Sequence, residues 1–167
     1  MAWASKFNKL SSSSPDLDLG ADVALSAKKF GELIYSILEN SSNNKVINVT
    51  FNNDSGQDYT RSYGVNGNTD NPEINKTKFD LTYTGWGDKL HVMNFCNIDG
   101  EEKLIIHHVV ETDHTEGTNA DAEPHRIELV GKYTDTTTGQ VTRIDCNKGN
   151  QNDYTADDLA IVILTDS

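Results

Sequence analysis

Short segments of alternating apolar and polar residues, separated by turn sequences, fill most of this chain from Lys45 onward. In KVINVTFNN, the apolar residues Ile47, Val49 and Phe51 recur at every second position, which is the period of a strand with one buried face. The sequence contains about eight such segments at the turn spacing typical of an antiparallel β-sandwich. The sequence therefore predicts a mainly β fold, a sandwich of about eight antiparallel strands.

The turn sequences also predict which strands pair. Glycine-containing turns are expected to join three pairs into hairpins: KVINVTFNN with DYTRSYGV, KFDLTYT with KLHVMNF, and RIELVGKYT with VTRIDC. The dipeptide DG in CNIDGEE is the hairpin signal between KLHVMNF and KLIIHHVV. The stretch GVNGNTDNPEINKT is expected to be a loop, and the apolar run LAIVILT a strand buried on both faces.

One segment has a helical period instead. In ADVALSAKKFGELIYSILEN, residues 21–40, apolar residues recur three and four positions apart and form one stripe. The stripe consists of Val23, Ala27, Phe30, Leu33, Ile34, Ile37 and Leu38. The sequence predicts an amphipathic helix packed on the sandwich, and the functional alternative is that this stripe turns toward lipid at a membrane interface.

The domain organisation follows from length and local composition. A chain of 167 residues is expected to form one domain with a single core. Residues 1–20, which contain SSSSPDLDLG, have the composition of a flexible N-terminal arm. Residues 21–167, including the predicted helix, are then the single sandwich domain.

The charge balance excludes some partners. The chain carries 26 acidic and 14 basic residues, a formal charge of −12. Such a surface repels nucleic-acid phosphates and anionic lipid headgroups, so neutral or zwitterionic ligands are favoured. The N-terminus has no apolar segment typical of a secretory signal, and no segment has the about 18 apolar residues that span a bilayer. We therefore expect the chain as given to be soluble.

Chemically active residue types do not form a recognised motif. His107, His108, Glu111, His114 and His125, together with Asp113, lie close in sequence, but His107 and His108 should point to opposite faces of one strand. No GxSxG or CxxC motif is present, and Cys96 and Cys146 both lie in strand-like segments, which favours buried free thiols over a disulfide. We therefore expect a protein that is not an enzyme and needs no cofactor.

Calcium is the one metal for which the sequence offers an alternative. Asp153, Asp157 and Asp158 precede the last predicted strand, and carboxylate oxygens are the ligands that calcium prefers. An ordinary solvated turn explains the same residues.

The order of these parts resembles one family. A polar start, a helix opening with ADVA (residues 21–24), a first strand like NNKVINVTFNNDSG and an aromatic second strand like QDYTRSYGVNGNTD are similar to the actinoporin-like cytolysins. The hairpin LHVMNFCNIDGEEKLIIHHVV and the final DLAIVIL are similar to that family's central pair and last strand. This superfamily includes sea-anemone cytolysins and fungal fruit-body lectins.

The resemblance implies a β-sandwich, secreted or stored in soluble form, that binds phosphocholine-headed lipid such as sphingomyelin, assembles into a homo-oligomer on the membrane and inserts its N-terminal helix to form a pore. On that interpretation Val23, Ala27, Phe30, Leu33, Ile34 and Ile37 enter the bilayer. Trp86 and Tyr133 are the candidates for headgroup or sugar binding.

Three functions thus stay open from the sequence. The first is a pore-forming, membrane-binding cytolysin-like protein. The second is a carbohydrate-binding lectin of the same sandwich class, with or without calcium. The third is a structural protein that self-assembles through edge strands and the acidic loop ETDHTEGTNADAEPH.

Overall fold

A computed structural model describes residues 3–12, 14, 16–17, 28–38, 47–80, 88–112, 124–134, 139–147, 154, 156 and 158–165. Eleven β-strands account for most of these residues. They are β1 (Trp3–Lys9), β2 (Phe30–Ile37), β3 (Asn48–Phe51), β4 (Tyr59–Val65), β5 (Asn71–Lys76), β6 (Phe79–Asp80), β7 (Lys89–Cys96), β8 (Lys103–Glu111), β9 (His125–Tyr133), β10 (Ile144–Asn147) and β11 (Leu159–Thr165).

The strands form two antiparallel sheets. The large sheet has eight strands in the order β1-β11-β2-β7-β8-β9-β4-β5, and the small sheet has three in the order β10-β3-β6. In the large sheet β7, β8 and β9 lie near the centre and pair over almost their full length. The predicted mainly β, antiparallel fold is confirmed.

Apolar and aromatic side chains from both sheets meet in one core. Phe51 of β3 contacts three rings: Phe79 of β6, Phe95 of β7 and Tyr133 of β9, with ring centroids 5.5–6.0 Å apart. Tyr59 of β4 packs on Tyr133 at 4.9 Å. Each of these rings is at most 3% exposed, so this aromatic cluster fixes how the small sheet sits on the inner face of the large one.

The helix predicted over residues 21–40 is wrong in its second half, because Phe30–Ile37 form strand β2. Residues 21–27 lie outside the described part of the chain, as do residues 39 and 40. FGELIYSI also satisfies a period of two: Leu33, Tyr35 and Ile37 are buried, while Ile34 and Ser36 are half-buried on the other side. Pairing with β7 and β11 on both sides outweighs the helical spacing.

Glycine at position 31 lets β2 approach the core ring of Phe95. A Cβ atom built on Gly31 would overlap the Phe95 ring, so we expect Gly31→Ala to lower the free energy of unfolding by about 1–3 kcal/mol. Urea unfolding measures this loss. In a Phe95→Leu background the same substitution should cost less, and equal costs in both backgrounds would contradict the steric explanation.

The described residues contain no helix of the length and apolarity needed to cross a membrane.

Candidate interaction face and buried histidine pair

The large sheet has one face covered by the small sheet and one face turned away from it. We define the outer face as the outward side chains of the three central strands. They are Leu90, Val92 and Asn94 of β7, Leu104, Ile106, His108 and Val110 of β8, and Arg126, Glu128, Val130 and Lys132 of β9. The strand registers place these side chains in adjacent rows, with Leu90 opposite Val110 and Ile106 opposite Val130.

Apolar side chains dominate the centre of the outer face although they are exposed. Leu104 is 60% exposed, Val130 57% and Ile106 53%, and Leu90 and Val110 are also about half exposed. An antiparallel sheet with one solvated face normally carries polar residues there. A contiguous exposed apolar patch of this kind marks a surface that binds something.

Charged side chains of both signs lie among these apolar residues. Arg126 and Glu128 are more than half exposed, and the Arg126 Nε to Glu128 Oε1 distance is 3.6 Å. At the other end of β9, Lys132 Nζ donates to Glu102 Oε1 at 3.0 Å. His108 is exposed and lies opposite Glu128 in the register. The outer face is therefore apolar with charges of both signs among its side chains.

A shallow groove of about 360 Å³ runs along one side of the outer face. Its apolar wall is formed by Pro72, Ile74, Leu104 and Val130. Ile74 is the most exposed of the large apolar side chains, at 67%. The groove extends the apolar surface from β9 across β4 to the edge strand β5.

Arg61 borders this groove and is held in place. Its Nε donates to Glu73 Oε2 at 2.7 Å, and its guanidinium lies 4.9 Å from the Tyr63 ring centroid. Burial alone would raise the pKa of Glu73, but the hydrogen bond and charge of Arg61 lower it below its ordinary value. Arg61 is therefore a fixed, paired cation and not a free anion-binding group.

The inner face of β7 and β8 contains a buried polar cluster, which we define as Lys89, His91, His107 and Glu111. All four side chains are at most 2% exposed. Lys89 and Glu111 face each other across the two strands, with Nζ and Oε1 3.9 Å apart. His91 Nδ1 and His107 Nε2 form a hydrogen bond of 3.2 Å.

The two histidine rings are neutral. Burial lowers the pKa of His107 to about 3, and the neighbouring positive charges of His108 and Arg61 act in the same direction. Burial also lowers the pKa of His91 well below its ordinary value, helped by His107 and Lys89. Because each ring is neutral, one donates and the other accepts in the shared hydrogen bond.

The outer nitrogens of this histidine pair, His91 Nε2 and His107 Nδ1, have no hydrogen-bond partner among the residues that the structure describes. Whichever ring donates in the shared bond, one of these two nitrogens is a proton donor and the other an acceptor. Each buried nitrogen left without a hydrogen bond costs about 1–3 kcal/mol.

The described histidine and acidic residues singled out from the sequence lie on two faces: His107 and Glu111 belong to the buried polar cluster, whereas His108 lies on the outer face. His107 and His108 lie on opposite faces of β8, as predicted. His125 is half-buried at the start of β9, and Asp113 and His114 lie outside the described residues. Among the residues the structure describes, no group of three or more His, Cys, Asp or Glu side chains could hold a metal ion. Sequence reasoning also missed His91, which only the diagonal β7–β8 contact brings to His107.

Of the two candidates for headgroup or sugar binding, one lies among the described residues. Tyr133 is 1% exposed and packs between Phe51 and Tyr59, so its prediction as a binding residue is wrong: its ring is inaccessible. Trp86 lies outside the described residues.

The calcium candidates are only partly described. Asp158 is fully buried, and its Oδ1 accepts a hydrogen bond from the Leu38 backbone N–H at 2.8 Å. This contact joins the end of β2 to the start of β11. Asp153 and Asp157 lie outside the described residues, so the three-carboxylate calcium site stays a prediction.

The described residues among those predicted to insert into a membrane do not share one face. Leu33 and Ile37 are buried in the core, Ile34 points to the outer side of the sheet, and Phe30 is 40% exposed at the start of β2. Val23 and Ala27 lie outside the described part of the chain. The four described residues are thus divided between two faces of one strand.

Neither cysteine forms a disulfide. Cys146 is buried beside the Tyr35 hydroxyl. Cys96 is half-buried at the end of β7, where its Sγ accepts a hydrogen bond from the Leu104 N–H at 3.0 Å.

Comparison of the chain with protein-family models, curated proteins and solved structures found no match. The resemblance to the actinoporin-like cytolysins stays a prediction, and function is argued from the surface and its chemistry.

Proposed function

We propose that this protein is a non-catalytic interaction module that binds a protein partner through the outer face of its large sheet. The observation that carries the proposal is the exposed apolar centre of that face, where Leu104, Ile106 and Val130 are each more than half exposed. Contacts between the small and large sheets, such as Phe51 with Phe95, support a β-sandwich as the scaffold. A rigid sheet presents its side chains in a fixed pattern, which suits recognition.

The interleaved charges favour a protein partner over a lipid bilayer. Docking this face on hydrocarbon would remove water from Arg126, Glu128 and Asn94 without offering them partners, which is costly. A protein surface can supply an opposite charge or an amide at each of these positions. Insertion of a helix has no support in the described part of the chain, because the candidate residues there are divided between two faces of one strand. They are Phe30, Leu33, Ile34 and Ile37.

The lectin alternative has less support than the protein-binding proposal. Of its two candidate aromatic residues, Tyr133 is buried in the core and Trp86 is outside the described residues. The outer face instead offers aliphatic side chains, which give a protein partner buried area. Because the chain carries a charge of −12, polyanionic partners are disfavoured as well.

Site-specific photocrosslinking tests this proposal. A photoreactive amino acid replaces His108 at the centre of the outer face, and the matched control replaces Ile98 in the β7–β8 turn, which is exposed but outside the face. In the cells of origin, we expect the His108 position to crosslink to a defined polypeptide identified by mass spectrometry. Excess purified wild-type protein should compete with this adduct, and the Val130→Lys variant should not.

The same labelled protein is also mixed with vesicles of phosphatidylcholine, with and without sphingomyelin, and with a glycan array. Protein binding predicts no flotation with vesicles and no glycan signal. Adducts with lipid alone, or vesicle binding that Val130→Lys abolishes, would overturn the proposal in favour of membrane docking. A glycan signal lost in the same variant would overturn it in favour of a lectin.

A further inference from the structure

We infer that the partner docked on the outer face is a second copy of this chain, packed face to face on the same surface. This inference rests on the proposed function and names its partner. A twofold dimer brings one surface patch against itself, so the patch must be complementary to its own copy. The apolar content, the charges and the size of the outer face each meet this requirement.

The charges on the outer face and its two flanking strands, β2 and β4, cancel, although those of the whole chain do not. The outward positions of the five strands β2, β7, β8, β9 and β4 contain two acidic residues, Glu32 and Glu128, and two basic ones, Arg126 and Lys132. A face with equal numbers of both signs can place Arg126 of one copy near Glu128 of the other. The remainder of the chain holds the whole net charge of −12, away from the docked surface.

Together with the flanking strands β2 and β4, the outer face is also large enough for a stable dimer. Strands β7, β8 and β9 have eight or nine residues, which is about 27–30 Å at about 3.4 Å per residue. Five strands about 4.8 Å apart are about 24 Å wide, so each copy offers roughly 650 Å² and the pair buries roughly 1,300 Å². This area is within the range of specific protein interfaces and larger than most crystal-packing contacts.

Packing a second sheet on this face repeats what the small sheet does on the inner face. Aliphatic side chains such as Ile106 and Val130 would interdigitate with the same residues of the partner copy, as in sheet-on-sheet packing. Ile106 of β8 lies opposite Val130 of β9, and Val110 of β8 lies opposite Leu90 of β7, so apolar side chains of neighbouring strands meet in pairs across the face. This arrangement removes the exposed apolar patch without requiring any other molecule.

Salt dependence distinguishes this dimer from one held by ion pairs. Two chains of charge −12 repel each other at long range, and salt screens that repulsion over about 10 Å at 0.1 M. The apolar contact itself is not weakened by salt. The dimer should therefore become tighter as sodium chloride rises from 50 to 500 mM, whereas ion-paired association would become weaker.

Sedimentation velocity on the purified full chain tests the inference over a concentration series at both salt levels. We expect a monomer–dimer equilibrium whose dissociation constant falls severalfold at high salt. Ile106→Lys and Val130→Lys should each raise the constant at least tenfold, because each buries an ammonium in the apolar centre. Ile98→Lys, which changes the same residue type outside the face, should leave the constant unchanged.

Val130→Thr provides a milder test, because it keeps a β-branched side chain and changes only polarity; we expect a smaller, severalfold rise in the dissociation constant. Circular dichroism confirms that each variant is folded.

A wild-type chain that stays monomeric at all concentrations and salt levels would overturn the inference, as would a dimer that none of the face variants weakens. If the wild type is monomeric while position 108 crosslinks to a different polypeptide, the proposed function stands and the second-copy assignment fails. If position 108 crosslinks only to lipid, both fail.

Discussion

Lowering the pH from 6.5 to 4.5 is expected to reduce the free energy of unfolding by about 2.5–5 kcal/mol, because His91 and His107 are buried as neutral rings. In the unfolded chain both histidines take up a proton near their ordinary pKa of 6.5. In the folded chain burial lowers the pKa of His107 to about 3 and that of His91 well below its ordinary value. Protonation therefore favours the unfolded state.

The sign and the pH range follow from these shifts. Above pH 6.5 both states are neutral at these rings, and stability does not depend on them. Below pH 6.5 the unfolded chain binds protons at these rings and the folded chain does not. The free energy of unfolding therefore falls by about 1.4 kcal/mol for each such proton and each pH unit. Because an unfolded histidine is already half protonated at pH 6.5, two pH units remove about 2.5 kcal/mol if the hydrogen-bonded pair excludes one proton and about 5 kcal/mol if it excludes two.

Urea unfolding at pH 7.5, 6.5, 5.5 and 4.5 measures this dependence in wild type and in variants. His107→Gln and the double change His91→Leu with His107→Leu should flatten the decline between pH 6.5 and 4.5, whatever they do to stability at pH 7.5. His108→Gln, on the exposed face of the same strand, should leave the decline unchanged. Parallel pH curves for wild type and the double variant would contradict the assignment of acid sensitivity to this pair.

The sequence predicts that His107 and His108 lie in opposite environments, because neighbouring residues of a strand face opposite sides. The hairpin of β7 and β8 was accessible for a similar reason: DG marks its turn, and Gly100 has a φ of +70° there. These features depend on a few adjacent residues. Local patterns are sufficient to predict them.

Local sequence patterns did not predict correctly how several other strands pair. The predicted hairpin of RIELVGKYT with VTRIDC is wrong, since β9 pairs with β8 and β4, while β10 pairs with β3 in the small sheet. The predicted hairpin of KVINVTFNN with DYTRSYGV is wrong for the same reason, because β3 and β4 belong to different sheets. Pairing here is decided by core contacts between distant residues, which a local period does not encode.

The stretch expected to be a loop also contains a strand. In GVNGNTDNPEINKT, Asn71–Lys76 form β5 at the edge of the large sheet. Pro72 and the register shift opposite Tyr59 and Arg61 are typical of edge strands, and they suppress the alternation that marks a central strand. An exposed strand of this composition is hard to distinguish from a loop by its pattern.

The outer face left a signal that sequence analysis did not use. KLIIHHVV has apolar side chains on both faces of its strand. Ile105 and Val109 point inward, and the outward ones are Leu104, Ile106 and Val110. A strand with apolar residues on both faces is typical of one that is covered on both. The same argument was applied to LAIVILT but applies equally to β8. The histidine pair left no such signal, because His91 and His107 meet only across two strands.

Glu111→Gln is expected to lower the free energy of unfolding by about 3–5 kcal/mol, because it leaves the buried ammonium of Lys89 without the carboxylate opposite it. The side chains of Lys89 and Glu111 are at most 1% exposed, so water cannot replace the lost charge cheaply. Glutamine has nearly the same shape as glutamate, and the loss reports charge and not packing. Urea unfolding at pH 7.5 measures it.

An exposed pair of the same chemistry on the same sheet is the matched control. Lys132 and Glu102 are 3.0 Å apart, with side chains 40% and 47% exposed. Glu102→Gln should therefore cost at most about 1 kcal/mol. Equal losses for Glu102→Gln and Glu111→Gln would contradict the argument that burial sets the cost.

Replacing both Lys89 and Glu111 distinguishes the attraction between their charges from the free-energy cost of removing those charges from water. Lys89→Met with Glu111→Leu removes both charges and fills the space with apolar atoms, so we expect it to be nearly neutral or to stabilise the protein by about 1–4 kcal/mol. A double variant that is less stable than Glu111→Gln alone would show that the ion pair contributes a net attraction. The expected gain would instead mean that the buried charges cost stability, and a side-chain pair retained at such a cost belongs to the positions where folding and function compete.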